Sequence, residues 1–214
     1  MNIPQFRLLI SSPSNNSASL LPSEYQQVEY IESVKNSTYI LIPFVANDES
    51  EIEFKICNTI SNQASNAVYG SYIGFGFKNN GNYGVVRFGS TQSYETSIKS
   101  NSEIFETVRL SKEGFFVDGV RTDIEFAQKQ WTDTRTISVF AYANGNNYYV
   151  ANGIRGAEFI YREAGIVQLH LIPCYRKSDG VIGMYDLCGT ICPLTGTPFY
   201  INEGKGEFLK GADV

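Results

Sequence analysis

The segment Glu106-Thr107-Val108-Arg109-Leu110-Ser111-Lys112-Glu113-Gly114-Phe115-Phe116-Val117-Asp118-Gly119-Val120-Arg121-Thr122 decides the fold class. Its apolar runs are short, and they are interrupted at Lys112-Glu113-Gly114 and again at Asp118-Gly119. Glycine allows the positive φ angles that tight turns between strands need. The segment therefore predicts a meander of three strands, at residues 106–111, 115–117 and 120–122.

The same pattern of short apolar runs separated by turn residues continues on both sides of this meander. Glu51 to Cys57 alternates strictly between polar and apolar residues, which predicts a strand with Ile52, Phe54 and Ile56 on its inner face. The pair Asn80-Gly81 predicts a tight hairpin. No segment keeps a helical apolar stripe for more than about two turns. Further strands are predicted at residues 136–143, 154–162, 167–175, 181–185 and 198–201.

About a dozen short strands with little helix are typical of a sandwich or barrel rather than of a parallel α/β enzyme. The chain also carries 14 Phe and 14 Tyr. Two facing sheets bury alternate residues of every strand, so a sandwich can accommodate that many aromatic rings. The predicted fold class is therefore all-β, a two-sheet antiparallel sandwich.

Composition excludes several classes of protein. The 214 residues include 17 Lys and Arg against 22 Asp and Glu, a net charge of −5, so no nucleic-acid partner is expected. No apolar run approaches the roughly 20 residues of a membrane helix, and no membrane insertion is expected. The length suits one sizeable β domain, which we place at residues 21–214.

Residues 1–20 are predicted to form an N-terminal arm and linker. A single Arg7 precedes a very short apolar run, so the sequence predicts no signal peptide. The run from Ser11 to Ser19 is polar and typical of a flexible linker. Two interpretations stay open: an arm that docks onto a partner subunit, or a terminus without a role. The candidate docking residues are Ile3, Phe6, Leu8, Leu9 and Ile10.

Three segments carry a resemblance to a known family: Leu21-Pro22-Ser23-Glu24-Tyr25-Gln26-Gln27-Val28-Glu29-Tyr30-Ile31-Glu32-Ser33; Thr107 to Ser111 with Phe116-Val117-Asp118-Gly119; and Ile172-Pro173-Cys174-Tyr175-Arg176-Lys177-Ser178-Asp179-Gly180-Val181-Ile182-Gly183-Met184-Tyr185-Asp186 with Gly204-Lys205-Gly206-Glu207-Phe208. Together they resemble the LamG-like, concanavalin A-like jelly-roll modules of structural and tail proteins in phages and prophages of gut bacteria. The resemblance covers roughly residues 21–214.

This resemblance implies a jelly roll without catalytic activity that serves in a virion as a fibre, tail or capsid-surface module. The expected partners are other virion proteins, with several copies in one assembly. The alternative is a lectin-like adhesion module that binds host-surface glycans. Fold alone does not establish function, so this step is analogy. The chain departs from the family pattern at residues 187–194, a loop that carries two cysteines.

A glycan site would need an exposed aromatic ring for the sugar face and amides for its hydroxyl groups. Two predicted loops carry such residues. The same residue types also serve packing and turns in a Tyr-rich β protein, and that interpretation stays open. The candidate glycan-binding residues are Trp131, Asn144, Asn146, Asn147, Tyr148 and Tyr149.

Catalytic patterns are weak in this chain. Retaining glucanases of this fold use paired carboxylates about 5 Å apart on one strand face. Glu51-Ile52-Glu53 is the only comparable stretch, and it lacks the rest of the usual pattern, so it is interpreted as the solvated face of a strand. The only histidine, His170, lies between Leu169 and Leu171 and is interpreted as structural. No enzymatic activity and no cofactor are expected.

The sequence contains no pattern on which a metal site can be predicted. His170 and Cys174 are about 13 Å apart if they lie on one strand, which is too far for one zinc ion. Asp118 and Asp179 precede glycines and are explained as turn formers. For Cys188 and Cys192 the sequence favours free thiols and leaves a disulfide and a metal open. Cys57 is the remaining cysteine.

Overall fold

The fold is a β-sandwich, here taken from a computed structural model. The strands, with no helix among the described residues, are β1 Tyr25–Gln27, β2 Ile31–Glu32, β3 Ile40–Val45, β4 Ser50–Asn58, β5 Ala64–Ser71, β6 Phe75–Asn80, β7 Tyr83–Phe88, β8 Tyr94–Lys99, β9 Glu106–Ser111, β10 Gly114–Val117, β11 Val120–Arg121, β12 Thr136–Val139, β13 Ala141–Asn144, β14 Asn147–Val150, β15 Ile154–Glu163, β16 Ile166–Arg176, β17 Ile182–Asp186, β18 Phe199–Ile201 and β19 Leu209–Lys210. The structure describes residues 20–34, 37–59, 64–71, 75–80, 83–89, 92–99, 103–126, 131, 134–144, 147–150 and 152–214.

Two sheets form the sandwich. The larger has eleven strands in the order β11-β10-β9-β4-β15-β16-β17-β18, with β1 beside β16, β2 beside β15 and β19 beside β2. The smaller has eight, in the order β14-β13-β5-β6-β7-β8, with β12 beside β5 and β3 beside β12. The pairings are antiparallel except for one parallel contact of Ala143 with Ser71. The predicted all-β, two-sheet antiparallel sandwich is confirmed.

The prediction of one continuous strand at residues 136–143 is wrong. Residues 136–143 form two strands, β12 and β13, because Phe140 between them has a φ of 66°. Its N–H donates to the carbonyl oxygen of Val68 at 2.7 Å, and its ring meets the ring of Phe54 edge-on. Alternation of residue types cannot show that one buried residue leaves the extended conformation.

The main core lies between the two sheets. The largest fully buried side chains are aromatic apart from Ile31. Phe54, Phe159 and Tyr69 pack edge-on or tilted, with ring centroids 5.3 to 6.5 Å apart. Such geometries suit the ring quadrupoles. Aromatic rings therefore make up most of the largest buried side chains of the described residues.

A second, smaller cluster covers the other face of the larger sheet. Leu169 and Leu171 of β16 belong to the main core, whereas the alternate residues Ile172 and Cys174 belong to this second cluster. We call it the outer cluster; it consists of Leu21, Tyr25, Ile172, Cys174 and Phe199, and its members are buried. It holds the start of the domain against β16 and β18.

The first and last segments of the domain are hydrogen bonded to each other. Tyr25 pairs with Arg176 across β1 and β16. The N–H of Val214 donates to the carbonyl oxygen of Gln27 at 3.1 Å, and β19 pairs with β2. Residues far apart in sequence therefore close one end of the larger sheet. In the described part of the chain, no helix has the length and hydropathy of a membrane span.

Candidate functional site

One ring of the predicted glycan-binding loop stacks on a tyrosine that the sequence analysis did not single out. Tyr148 lies on β14, an edge strand of the smaller sheet, and its ring lies 4.4 Å from that of Tyr39 with planes only 16° apart. Both side chains are half-buried. Burial, followed by the neighbouring Tyr148 and Glu203, raises the pKa of Tyr39. Stacking covers one face of each ring, and the carboxylate of Glu203 lies near Tyr39.

The remaining residues of that loop are described only in part. Asn144 pairs with Asn147 across the β13–β14 hairpin, and Tyr142 pairs with Tyr149. The side chains of Asn144, Asn147 and Tyr149 lie outside the described part of the structure, as does all of Asn146. Their proposed contacts with sugar hydroxyl groups stay predictions.

Asn202 holds the segment that carries Tyr39, and the sequence analysis missed it. Its Oδ1 accepts the N–H of Tyr39 at 2.9 Å and that of Gly204 at 2.8 Å. Its Nδ2 donates to the carbonyl oxygens of Ser37 and Gly206 at 2.9 and 2.6 Å. Ser37 and Tyr39 lie more than 160 positions from Asn202 in the sequence, so only the fold brings them to it.

Trp131 packs against the main core instead of standing apart from it. Its ring lies 5.1 Å from that of Phe88 at an angle of 86°, and Phe88 in turn stacks on Phe126. Trp131 is half-buried. Part of its indole is therefore already occupied by protein contacts.

Trp131 and Tyr148 do not belong to one binding surface. Phe88, which contacts Trp131, is on β7, and Tyr148 is on β14, four strands away in the same sheet. At about 4.8 Å per strand, β7 and β14 are about 19 Å apart across the sheet. A glycan site would have to use one of them, and the aromatic partner Tyr39 favours Tyr148.

The groove beside this aromatic pair contains a half-buried carboxylate. Glu203 lines a cavity of about 370 Å³ together with Leu41, Pro43, Pro193 and Leu194. Burial raises the pKa of Glu203, although a hydrogen bond from the N–H of Leu41 partly offsets this effect. The N–H of Glu203 donates to the carbonyl oxygen of Tyr39. Glu203 therefore covers the outer edge of β3.

Glu51 and Glu53 lie in an ion-pair network on the larger sheet. Nη1 of Arg162 lies 2.9 Å from Glu51 and 3.1 Å from Glu53, and Arg109 reaches Glu51 at 3.0 Å. The guanidinium of Arg109 also covers the ring of Phe116. Each carboxylate of β4 is thus paired with an arginine of a neighbouring strand, and these ion pairs link β9, β4 and β15.

His170 and Asp186 tie the cysteine-bearing loop to β16. The buried Asp186 accepts the N–H of His170 through Oδ1 and that of Thr190 through Oδ2, both at 2.6 Å. Nε2 of His170 lies 2.7 Å from Oε1 of Glu158. Two backbone donors on one buried carboxylate fix the loop at residues 187–194.

The four cysteines are free thiols in this structure. Cys188 is exposed, whereas Cys192 is buried in the main core. Burial raises the pKa of Cys174 to about 12, and burial together with Asp186 raises the pKa of Cys188. Such thiols are poor nucleophiles because the thiolate is the reactive form. Among the described residues, no three His, Cys, Asp or Glu side chains are placed to hold a metal ion.

The candidate docking residues Ile3, Phe6, Leu8, Leu9 and Ile10 lie outside the described residues, so their contacts stay predictions. The residue at which the arm joins the body is described: Leu20 is exposed, and the next side chain, Leu21, is buried in the outer cluster.

In comparisons with known proteins, the chain matches no protein family, no curated protein and no solved structure.

Proposed function

We propose that this protein is a structural module of a phage particle, without catalytic activity, that displays its sandwich as part of a fibre, tail or capsid surface. Its N-terminal arm docks it onto another virion protein, and several copies act together. The proposal rests on the resemblance of three segments to LamG-like, concanavalin A-like phage modules, a family that none of the comparisons identified.

The observation that carries the proposal is the contact between the first and the third of these segments. Lys177 donates its N–H to the carbonyl oxygen of Glu24 at 2.9 Å and its Nζ to that of Ser23 at 2.8 Å. Leu21 is buried beside them in the outer cluster. An arm that leaves such a fixed point can orient the whole sandwich on a partner, which is what a display module needs.

The test is incorporation into particles. Purified phage particles are analysed by mass spectrometry for this polypeptide and its copy number, with wild-type protein and with a variant that lacks residues 1–20. Loss of the truncated protein from particles is the expected result. A matched control replaces Ile3, Phe6, Leu8, Leu9 and Ile10 by Ser and keeps the length of the arm. Unchanged incorporation of both variants would rule out the tether.

The stacked pair of Tyr39 and Tyr148 favours a second candidate, a module that binds glycans. Parallel, half-exposed rings beside a carboxylate are the groups that recognise a sugar face and its hydroxyl groups. A glycan array with wild type is compared with Tyr39→Ala, Tyr148→Ala, Tyr149→Ala and Trp131→Ala. We expect the first two variants to abolish binding. Absence of any bound sugar by the wild type would dispose of this candidate.

A further inference from the structure

The groove between β3 and the loop before β18 is an exposed apolar surface at the side of the sandwich. Leu41, Pro43, Pro193 and Leu194 line it, and Leu194 is 54% exposed. Concave apolar surface that is left open to solvent commonly marks a docking site. A volume of about 370 Å³ is large enough for a few apolar side chains.

Exposed apolar side chains continue from this groove over the same end of the sandwich. Val45 follows Pro43 on the same side of β3, and Ile191 lies in the loop that also carries Leu194. The hydroxyl of Thr190 donates to the carbonyl oxygen of Gln168 at 2.7 Å, which places this loop beside the start of β16. Ile166 and Val167 precede Gln168 and are also exposed.

The polar groups of the groove favour an occupant that carries a cation and disfavour one that pairs with β3 as an added strand. Glu203 contributes a carboxylate that is partly removed from water, and a cation would compensate this desolvation. The outward N–H of Leu41 is used by Glu203, and Pro43 has none. An incoming backbone therefore finds no main-chain donor on β3 at these two positions. The occupant must be recognised through its side chains.

The N-terminal arm of this chain has matching chemistry. Ile3, Phe6, Leu8, Leu9 and Ile10 supply apolar groups, and among residues 1–10 the only charged side chain is that of Arg7. We propose that in the free protein residues 3–10 of the same chain occupy the groove, with the guanidinium of Arg7 beside the carboxylate of Glu203.

The arm is long enough to reach its own groove. Its base, Leu21, lies in one cluster with Phe199, and Glu203 is four positions after Phe199, a span of at most about 14 Å. A polar chain of the nine residues from Ser11 to Ser19 spans about 15–18 Å as a flexible coil. Such a short tether gives an effective concentration of order millimolar, which favours docking within one chain over docking on a neighbour.

A docked arm keeps its apolar residues out of water until a partner displaces it. Any protein that binds residues 3–10 then competes with the groove for the same side chains. This inference concerns the free protein and does not depend on which assembly the module belongs to. Its test is therefore made on purified protein, apart from the particle assay.

The test is photo-cross-linking of the full chain with p-benzoylphenylalanine in place of Phe6. Labelled (nitrogen-15) and unlabelled protein are mixed, so that mass spectrometry separates cross-links within a chain from those between chains. We expect cross-links within one chain to peptides that contain Leu41 to Pro43 or Pro193 to Leu194. Cross-links chiefly between chains, chiefly to residues 179–182 and 206–208 of a neighbouring cavity, or none above background would overturn the proposal.

Substitutions test the chemistry of the contact. Arg7→Glu should lower the cross-link yield about two- to fivefold, the effect of losing one charge pair. Leu194→Ser should lower it about tenfold, the effect of losing one apolar side chain that docking buries. Val120→Ser is the matched control, since Val120 is 70% exposed at the opposite edge of the larger sheet and should leave the yield unchanged.

Glu203→Gln identifies the partner of Arg7. It keeps an oxygen for the N–H of Leu41 and removes only the charge. If Arg7 and Glu203 are in contact, Arg7→Glu and Glu203→Gln are not additive in cross-link yield. Additive losses would show that Arg7 binds elsewhere and would overturn this assignment. Arg7 lies outside the body of the domain, so its substitution tests docking even if a groove variant folds poorly.

Discussion

At the scale of single residues, Gly156 and Phe140 together allow the centre of the core to close. Phe140 has a φ of 66°, a backbone conformation that is costly for a bulky residue. Its ring nevertheless occupies the space above β15 that Gly156 leaves open. A Cβ at position 156 would lie 2.7 Å from ring atoms of both Phe140 and Phe54. The absence of a side chain at this position is therefore a packing requirement.

Gly156→Ala should lower the free energy of unfolding by about 1–3 kcal/mol, because two fully buried rings must shift to admit one methyl group. Urea unfolding followed by tryptophan fluorescence measures the effect. Phe54→Leu in the same chain makes room, so the double variant should lose less than the sum of the single losses. Strict additivity would contradict the proposed clash.

Glu106 gives a pH-dependent prediction at the same scale. Burial, and then repulsion by Asp118, raises the pKa of Glu106. The folded protein therefore binds the proton of the Glu106 carboxyl group more tightly than the unfolded chain does. The contribution of Glu106 to stability is fully present below the unfolded pKa, and it is lost as the pH rises from there through the raised pKa of the folded state.

Glu106→Gln should flatten this part of the stability curve, as measured by urea unfolding across the pH window. Asp118→Asn should lower the pKa of Glu106 in an NMR titration, since it removes the repelling charge. In the wild type, Oδ1 of Asp118 accepts the N–H of Thr107 at 2.8 Å. The amide of the variant keeps an oxygen for this hydrogen bond. An unchanged pKa in this variant would leave burial as the only cause.

At the scale of elements, β1 depends on side chains more than on its own length. It has three residues, and among the described strands its ladder partner is β16 alone. The ring of Tyr25 lies 4.8 Å from that of Tyr185 and 4.9 Å from that of Phe199, and Leu21 completes the cluster. The outer cluster thus keeps a short strand in place on the sheet.

Leu21→Ala should lower the free energy of unfolding by about 2–4 kcal/mol, or release β1 before the rest of the sandwich unfolds. Hydrogen exchange at Gln26 and Gln27 separates these two results. Leu20→Ala is the control, because Leu20 is 69% exposed and its substitution should change stability by less than about 0.5 kcal/mol. Equal effects of the two variants would contradict the role of the cluster.

At the scale of the whole molecule, the two ends of the domain close the same region of the larger sheet. β19 pairs with β2, Val28 and Asp213 form an isolated bridge, and Gly211 donates to the carbonyl oxygen of Tyr30 at 3.0 Å. These contacts join residues almost a whole chain apart. Their loop-closure entropy must be overcome before they contribute, so they are expected to form late in folding.

Deletion of residues 209–214 should lower the free energy of unfolding by about 2–4 kcal/mol, since several backbone hydrogen bonds at about 0.5–1.5 kcal/mol each are lost. Thermal unfolding measures the change in Tm. Leu209→Ala alone, at an exposed position, should have little effect. A deletion that leaves Tm unchanged would show that the closing contacts do not stabilise the domain.

The sequence predicted local features of this protein well and its candidate site only in part. Strict alternation located β4, and the glycine turns located the meander of β9, β10 and β11. Short strands such as β1 and β19 were missed because two or three residues show no periodicity. Tyr148 was singled out, but its partner Tyr39, 109 positions away, has no signal of its own.

Alternation, turn residues and aromatic content by themselves determined the all-β class and the inward-facing positions of the longest strands, because these follow from local steric preference and from burial on one face. Only the tertiary structure decided that Asn202 holds Tyr39, that Glu203 covers the edge of β3, and that Trp131 and Tyr148 are far apart. Those relations depend on which strands become neighbours, and sheet order is set by the packing of the whole core.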